Sequence, residues 1–428
     1  MKLTTTGRLR VAFGEAALIP MLAAAMAILC GAAHAQTSTM EEVKPNLTPC
    51  GQYNAAALDP RPVPDSIGGQ AMIDAQVKQG FKTPATMEGA PTDLPPTWYT
   101  DVKVTPEEAK QICEKHLTAV FIDWSGVAYN QAIDSGVKTV FDALGIKLLR
   151  IARFDITPSG LTGVLAAILP LKPDIIVTGG TLNPAQAGAI LKPALDQGII
   201  VSMWSVSSPK LEIGQDKPIK SLITYDFYGL GLQLAEAVHK QYPNGANVGY
   251  IHWVNDVPPI FARESGFLDG LKKYPNLHIV TNGDPNPKNP ASGYSVFNSP
   301  QAFTSAFLTA HPEVNLLFAP WEDPPGLGEA AAVKALHLED KVKIVTMDFG
   351  EAGAHQIKHN GIIAVDMAQD VYDGGRMLAL TAALATIGKD KYPYVFFPTF
   401  PVLSNTDTQA AWDFMHGPEV KCPESDCE

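Results

Sequence analysis

The sequence predicts an α/β protein with two similar lobes, each built on a parallel sheet. From about residue 105, short apolar runs alternate with amphipathic stretches of helix length, which is typical of a parallel sheet with helices on both faces. The ten runs exceed the strands of an ordinary single sheet, and the pattern divides near Tyr225. A chain of 428 residues has enough material for two or three domains.

The predicted elements follow one another in regular alternation. The strands are expected at Ala119–Trp124, Lys147–Ile151, Asp174–Thr178, Ile199–Trp204, Leu222–Thr224, Asn247–Trp253, His278–Thr281, Leu316–Ala319, Lys343–Met347 and Ile362–Asp366. The helices between them are expected near 127–144, 160–171, 184–197, 227–241, 262–274, 300–311, 326–337, 351–360 and 371–387.

Residues 1–35 are typical of a signal peptide for export. Three basic residues precede the apolar stretch Ala16–Gly31, and the segment ends in Ala33-His34-Ala35, a pattern that signal peptidase cleaves. Processing as a lipoprotein would use Cys30, but the residue before it is Leu29, which is larger than that processing prefers. We therefore expect a periplasmic protein without this segment.

The residues that follow the signal peptide differ in composition from the rest of the chain. Residues 36–105 are rich in Pro, Thr and Asp and show little periodicity. We expect this Pro-rich N-terminal extension to lie on a domain rather than to form one.

Charge and hydropathy exclude several classes of function. The formal net charge is −12 and no block of Lys and Arg occurs, so a nucleic-acid groove, which needs concentrated positive charge, is disfavoured. Beyond residue 35, no apolar run approaches the roughly 18 to 20 residues that span a bilayer. We expect a soluble mature protein.

Four cysteines remain after the signal peptide, and an oxidising compartment favours their pairing. Three pairings of Cys50, Cys113, Cys422 and Cys427 are possible. Cys422 and Cys427 enclose only four residues, so they can close a small loop, and Cys50 would then join Cys113. A zinc site is the alternative, but one C-x₄-C without nearby His is a weak signal for it.

Tryptophan recurs where the predicted strands end. Trp124, Trp204 and Trp253 close strands, Trp321 follows a strand, and Asp348 comes directly after the strand Lys343–Met347. Ligands of α/β sheets lie beyond the carboxyl ends of the strands, so these side chains predict a ligand site. A tryptophan at such a position can also plug the edge of a core.

Several segments of the chain resemble the periplasmic sugar-binding proteins of ABC importers, of the ribose and autoinducer-2 type, and they follow one another in the order found in that family. The resemblance extends from about Leu117 to Leu403. Its segments are Ala119–Asn130, Gly136 with Asp142–Gly145, Pro173–Gly180, Gly198–Trp204, the R-x-x-G-F motif Arg263–Phe267, and Met347-Asp348 with Gly361 and Gln369.

The resemblance implies a type I periplasmic binding protein, with two Rossmann-like lobes and a hinge of three crossing strands. One lobe would comprise 106–222 plus 370–396, the other 226–366 plus 398–410, and 411–428 would form a tail. A small sugar-like or polyol ligand would bind between the lobes and be delivered to the membrane subunits of an ABC transporter. We expect a monomer.

This sequence departs from the ribose binders at two polar positions. Trp204-Ser205 stands in place of Asp-Arg, and Gly179-Gly180 in place of Asn. Aromatic side chains thus replace part of the polar side chains that hold sugar hydroxyl groups in the ribose binders. The face of an aromatic ring packs against the C–H face of a sugar, an apolar ring or a cationic group. We therefore expect an indole at Trp204 to lie against the ligand, so that its removal would impair binding rather than folding.

The expected ligand-binding residues combine aromatic faces with a few polar groups. They are Trp124, Tyr129, Asn130, Trp204, Trp253, Arg263, Trp321, Asp348 and Gln369.

Structural roles are open for several of the polar candidates. Arg263 can instead pair with Asp256 or Glu264, and Asp348 can cap a helix. Gln369 can bond to backbone, while Tyr129 and Asn130 can serve packing and capping.

No catalytic constellation appears in the sequence. The nucleophile elbow, the phosphate-binding loop and the full dinucleotide fingerprint are missing. His355 and His359 share a helical face, but Gln356 stands where a zinc protease has its Glu. We expect no enzyme, cofactor or metal. Two alternatives stay open: a ligand sensor that presents its closed form to a chemoreceptor or kinase, and an exported hydrolase.

Overall fold

Two mainly parallel sheets, each accompanied by helices, form the two lobes in the computed structural model of the chain. The structure describes residues 39–83, 94–124, 126–154, 158–180, 184–205, 213–214, 217–254, 257–282, 293–294, 299–423 and 427. The predicted signal peptide, Cys30 and Asp256 lie outside these residues.

The described residues contain sixteen strands and thirteen α-helices. The strands are β1 Thr39–Glu42, β2 Thr97–Trp98, β3 Thr118–Asp123, β4 Lys147–Arg153, β5 Ile175–Gly180, β6 Ile200–Ser205, β7 Ile219–Thr224, β8 Ala246–Tyr250, β9 His252–Trp253, β10 Leu277–Val280, β11 Gly293–Tyr294, β12 Leu316–Phe318, β13 Lys343–Met347, β14 Ile363–Gln369, β15 Tyr394–Phe396 and β16 Thr399–Val402. The helices are α1 Ala55–Leu58, α2 Gly69–Gln79, α3 Pro106–Cys113, α4 Ala128–Ala143, α5 Pro158–Ile168, α6 Pro184–Leu195, α7 Phe227–Gln241, α8 Pro258–Leu271, α9 Pro300–Ala310, α10 Leu327–Ala335, α11 Glu351–Lys358, α12 Val371–Ala385 and α13 Thr408–His416.

The sheet order separates the lobes. The first sheet has the order β1-β4-β3-β5-β6-β7-β15-β2 and the second β10-β8-β12-β13-β14-β16, while β9 and β11 form a small pair. Only the β1–β4 and β14–β16 pairs are antiparallel among the described strands. The predicted fold class, two α/β lobes with parallel sheets, is confirmed.

Both faces of the first sheet are buried, as a parallel sheet requires. Along β3, Val120 and Ile122 belong to one hydrophobic cluster and Phe121 to the other. All three side chains are fully buried, so the central strand reads as a continuous apolar run.

The chain passes between the two sheets at three places. It leaves the first sheet after β7, returns between β14 and α12, and crosses again between β15 and β16. The crossing segments bond to one another: Phe397 N–H donates to the Thr224 carbonyl at 3.2 Å, and Asp370 N–H donates to the Pro398 carbonyl at 3.1 Å. The three-strand hinge that the resemblance implied is present.

One helix pair in each lobe packs through glycine. A Cβ at Gly136 on α4 would lie 2.1 Å from the Tyr372 carbonyl oxygen on α12, and one at Gly266 on α8 would lie 2.0 Å from the Tyr228 carbonyl oxygen on α7. Only glycine permits this close approach. Two of the positions that carried the resemblance therefore set the packing next to the cleft.

The N-terminal extension is more structured than its lack of periodicity predicted. Its strands β1 and β2 pair with β4 and β15, at the two edges of the first sheet. The Arg61 guanidinium lies 2.9 Å from both the Asp370 and the Asp373 carboxylates, and Gln76 Nε2 donates to the Thr399 carbonyl at 2.6 Å. The extension thus contacts two of the crossing segments.

Both predicted disulfides are present. Cys50 is bonded to Cys113, which fastens the extension to α3, and Cys422 is bonded to Cys427 in the tail. No helix among the described residues combines the length and the apolar character needed to cross a membrane.

Candidate functional site

A cavity of about 570 Å³ lies between the lobes at the carboxyl ends of several strands. The first lobe contributes the loop after β3 and the start of α4. The second lobe contributes the segments after β12 and β13 and the start of α11. The lining residues are Trp124, Gly126, Val127, Ala128, Tyr129, Asn130, Gln131, Trp321, Glu322, Asp323, Leu327, Asp348, Gly350, Glu351, Ala352, His355 and Gln356.

On the first-lobe side, a buried carboxyl group positions two wall residues. Asp123 ends β3 and accepts hydrogen bonds from Trp124 N–H at 2.8 Å and from Asn130 Nδ2 at 2.9 and 3.0 Å. Burial raises the pKa of Asp123 to about 8, and the nearby Asp134 carboxyl adds to the rise. Asn130 is fully buried, and its Oδ1 has no hydrogen-bond partner within the described structure.

On the second-lobe side, an ion pair forms below the cavity. Arg263, 3% exposed, places its guanidinium 2.6 Å from Asp348 Oδ1 and 3.2 Å from Asp348 Oδ2. It also donates to the Pro320 carbonyl at 3.3 Å and to the Tyr225 hydroxyl. Arg263 therefore pairs with Asp348. Glu264, one of the partners that the sequence left open, is buried and accepts from Trp253 N–H and the Tyr250 hydroxyl instead, and Asp256 lies outside the described residues.

Polar side chains connect the lobes next to this wall. The Tyr129 side chain on α4 interacts electrostatically with Tyr225 in the first crossing segment, and the Tyr225 hydroxyl accepts from Arg263. Burial raises the pKa of Tyr225 to about 12, so its hydroxyl stays protonated. A wall residue of one lobe is thereby linked through the hinge to Asp348 of the other.

Two tryptophans of the second lobe form one aromatic unit. The rings of Trp253 and Trp321 meet edge to face with centroids 4.6 Å apart, a favourable aromatic geometry. Trp321 lines the cavity and donates from Nε1 to the Asp323 carbonyl at 2.6 Å. Trp253 lies behind it, and its backbone N–H donates to Glu264 Oε1 at 2.8 Å.

Trp204 is placed differently from its prediction. It is 2% exposed and does not line the cavity. Its ring stacks on Phe397 of the third crossing segment at 5.1 Å, with 12° between the planes. A Cβ at Gly374 would lie 2.7 Å from its ring. In this conformation the indole packs against the hinge, which is the core alternative that the sequence left open.

Gln369 also lies outside the cavity wall. It ends β14, is fully buried and donates from Nε2 to the Met367 carbonyl at 2.9 Å. Of the nine predicted residues, the structure brings five to the cavity; they are Trp124, Tyr129, Asn130, Trp321 and Asp348.

The wall includes carboxyl groups that the sequence analysis did not single out. Glu322 accepts from Gly350 N–H at 2.5 Å, and its carboxyl group lies beside that of the fully buried Asp366. Burial raises the pKa of both carboxyl groups. Asp323 and Glu351 lie nearer the solvent. In the sequence, only their positions could have indicated that Asp323 and Glu351 line the cavity: Asp323 follows β12, and Glu351 begins α11.

His355 lines the cavity, and its ring centroid lies 4.7 Å from that of His359. Within the described part of the chain, no group of three or more His, Cys, Asp or Glu side chains is arranged to hold a metal ion.

Solved structures with this fold include three sugar or polyol binders. A glucose-galactose binding protein from Geobacillus stearothermophilus shares 18% identity, with a TM-score of 0.56 over 67% of this chain and 97% of that chain. An ABC transporter solute binding protein from Agrobacterium vitis, bound with α-D-tagatopyranose, shares 20%, with a TM-score of 0.59 over 70% and 99%. One from Bacillus halodurans with bound myo-inositol shares 16%, with a TM-score of 0.56 over 69% and 97%.

No curated protein sequence matches this chain. Residues 118–390, well over half of its length, match the family of the periplasmic binding protein domain. The two-lobed fold, the three crossing segments and this match together confirm the resemblance to periplasmic binding proteins, and the chain belongs to the periplasmic binding protein domain family.

Proposed function

We propose that this protein is a non-enzymatic periplasmic receptor, which captures a small sugar-like or polyol molecule between its lobes and delivers it to an ABC transporter permease. The observation that carries this proposal is the cavity between the lobes, to which each lobe contributes aromatic and polar side chains. Its volume of about 570 Å³ lies in the range of small-molecule sites.

The hinge supports a clamp that closes on its ligand. The lobes proposed here are 106–222 plus 370–396 and 226–366 plus 398–410, and the chain crosses between their sheets three times. Ligand contacts from both sides would favour the closed arrangement. Export by residues 1–35 would bring the receptor to the periplasm, where we expect it to act as a monomer.

Two solved structures with this fold hold small polyhydroxylated molecules. The Agrobacterium vitis protein holds a sugar and the Bacillus halodurans protein holds myo-inositol. At 20% and 16% identity they establish the fold alone, so the ligand class rests on the cavity and its side chains.

A ligand panel tests the proposal. Thermal unfolding and calorimetric titration with sugars, amino sugars and polyols should identify a binder, because a ligand at about 100 times its Kd stabilises the folded state by about 2.7 kcal/mol. The binder should then stimulate ATP hydrolysis by the transporter in the presence of this protein. A panel without shift or heat would contradict the receptor role, and binding without stimulation would contradict delivery.

A further inference from the structure

The described wall of the cavity carries more acidic than basic side chains. Four carboxyl side chains line it, from Glu322, Asp323, Asp348 and Glu351, whereas His355 is the one basic side chain among its described lining residues and none of them is Lys or Arg. Arg263 lies below and pairs with Asp348, so this pair is close to neutral. The other three carboxyl groups have no ion-pair partner among the described salt bridges.

The carboxyl group of Glu322 is built into the wall. Glu322 is 5% exposed, accepts from Gly350 N–H and lies beside the carboxyl group of Asp366. Two neighbouring carboxyl groups in a buried place disfavour a double negative charge. A cation at the cavity would offset the remaining charge, since buried charges are ordinarily paired.

Hydrogen bonding gives a second, independent observation. Trp321 Nε1 and Gln131 Nε2 could donate to a ligand, but they donate to the backbone carbonyls of Asp323 and Gly126, both at 2.6 Å. Asn130 Oδ1, in contrast, is a buried acceptor without a partner within the described structure. Its Nδ2 is fixed on Asp123, which leaves the oxygen available to a donor. This wall is therefore complementary to a ligand rich in hydrogen-bond donors.

The aromatic side chains fit the same chemistry. Trp124, Tyr129 and Trp321 line the cavity together with the carboxyl groups. The face of an aromatic ring attracts a cation as well as the C–H face of a sugar ring. Aromatic rings beside uncompensated carboxylates favour the cation.

We propose that the ligand is a polyhydroxylated molecule that carries an ammonium group, of the size and kind of an amino sugar. This inference rests on the proposed receptor function and narrows its ligand class. The hydroxyl groups would donate to Asn130 Oδ1 and neighbouring acceptors. The ammonium group would lie among Trp321, Glu322 and Asp323.

Matched ligands test this inference on the full-length mature protein. Calorimetric titrations would compare D-glucosamine, D-galactosamine and D-mannosamine with their neutral parent sugars and with the N-acetylated forms, which keep the size but lose the charge. We expect at least one amine to bind about tenfold more tightly than both of its neutral counterparts, a difference within the range of cation–π and charge pairing. This preference should shrink as salt concentration rises.

Neutral sugars that bind as tightly as the amines would overturn the inference and leave the receptor function standing. Absence of heat with every sugar, amine and polyol would instead overturn both.

Variants of the acidic wall residues test which carboxyl groups recognise the ammonium group. Glu322→Gln and Asp323→Asn should each reduce the preference for the amine over its neutral parent, by about fivefold or more. Asp340→Asn is the matched control, because it removes one negative charge at the opposite end of β13 from Asp348. Asp323 is exposed, so its variant tests the inference even if Glu322→Gln folds poorly. A preference that survives both cavity variants, or falls equally in Asp340→Asn, would contradict the assignment.

Discussion

At the scale of single residues, Trp204 and Trp321 occupy different environments, although the sequence analysis predicted a ligand contact for both. Trp321 lines the cavity, whereas Trp204 is 2% exposed and stacked on Phe397. Both follow or end strands, so spacing along the chain could not separate them. The difference arises because the third crossing segment, distant in sequence, brings Phe397 over Trp204.

This contrast predicts opposite effects of truncation. Trp321→Ala should weaken ligand binding by about 2 kcal/mol or more, as loss of an aromatic anchor commonly does, and should change unfolding little. Trp204→Ala should lower the free energy of unfolding by about 3 to 5 kcal/mol, as expected for a buried aromatic ring. Calorimetry with the panel binder and denaturant titration measure the two effects. A Trp204→Ala protein of native stability that has lost ligand binding would instead place the indole against the ligand.

At the scale of elements, all nine predicted helices and nine of the ten predicted strands are present, with shifts of a few residues at their ends. The remaining predicted strand, Asn247–Trp253, is divided into β8 and β9, which lie in different sheets. The apolar periodicity of the predicted elements reflects burial, which is a local property of the sequence. Five described strands were not predicted: β1, β2, β11, β15 and β16. All four residues of β1 are exposed, and β2 and β11 have only two residues each. Such strands are defined by their partners across the sheet, not by their own sequence.

Helix α8 carries a buried acid whose ionisation should destabilise the fold. Glu264 accepts from Trp253 N–H and from the Tyr250 hydroxyl, and burial raises its pKa from 4.5 to about 8. The folded state therefore binds a proton more tightly than the unfolded state. Its contribution to stability is complete below pH 4.5 and is lost as pH rises through about 8.

Glu264→Gln cannot ionise; its Oε1 can still accept from Trp253 N–H, and its Nε2 can donate to the Tyr250 hydroxyl oxygen. It should raise the Tm relative to the unsubstituted protein at about pH 9 and have little effect at about pH 5. Thermal unfolding across this range measures the difference. Equal shifts at both ends of the range would show that Glu264 does not titrate as the structure indicates.

The contacts of the extension predict unequal roles for two arginines. Arg61 pairs with Asp370 and Asp373, whose side chains are fully buried. Arg150 pairs at 3.3 Å with Glu42, whose side chain is 79% exposed. Arg61→Ala should lower the free energy of unfolding by about 3 kcal/mol or more, because it leaves buried carboxylates without this partner. Arg150→Ala should cost less than about 1 kcal/mol. Denaturant titration compares them, and equal losses would argue against a special role of Arg61 at the hinge.

At the scale of the whole molecule, the two disulfides constrain very different lengths of chain. Cys50 and Cys113 are separated by 63 positions, and Cys422 and Cys427 by 5. Loop-closure entropy gives about 4 kcal/mol of stabilisation for the longer loop and about 2 kcal/mol for the shorter one. Replacing both cysteines of the first pair by Ser should therefore lower the Tm more than replacing those of the second. The reverse order would show that the extension contributes little to the cooperative fold.

The central claim is that one ligand is held by both lobes at once. Hydrogen–deuterium exchange with and without the saturating panel binder tests it most directly, since it reports protection segment by segment. We predict that the binder slows exchange together around residues 126–131 of the first lobe and around 321–327 and 348–356 of the second, which line the cavity. Protection confined to one lobe, or located at the separate groove between α2 and α7 around Gln76 and Gln233, would contradict it.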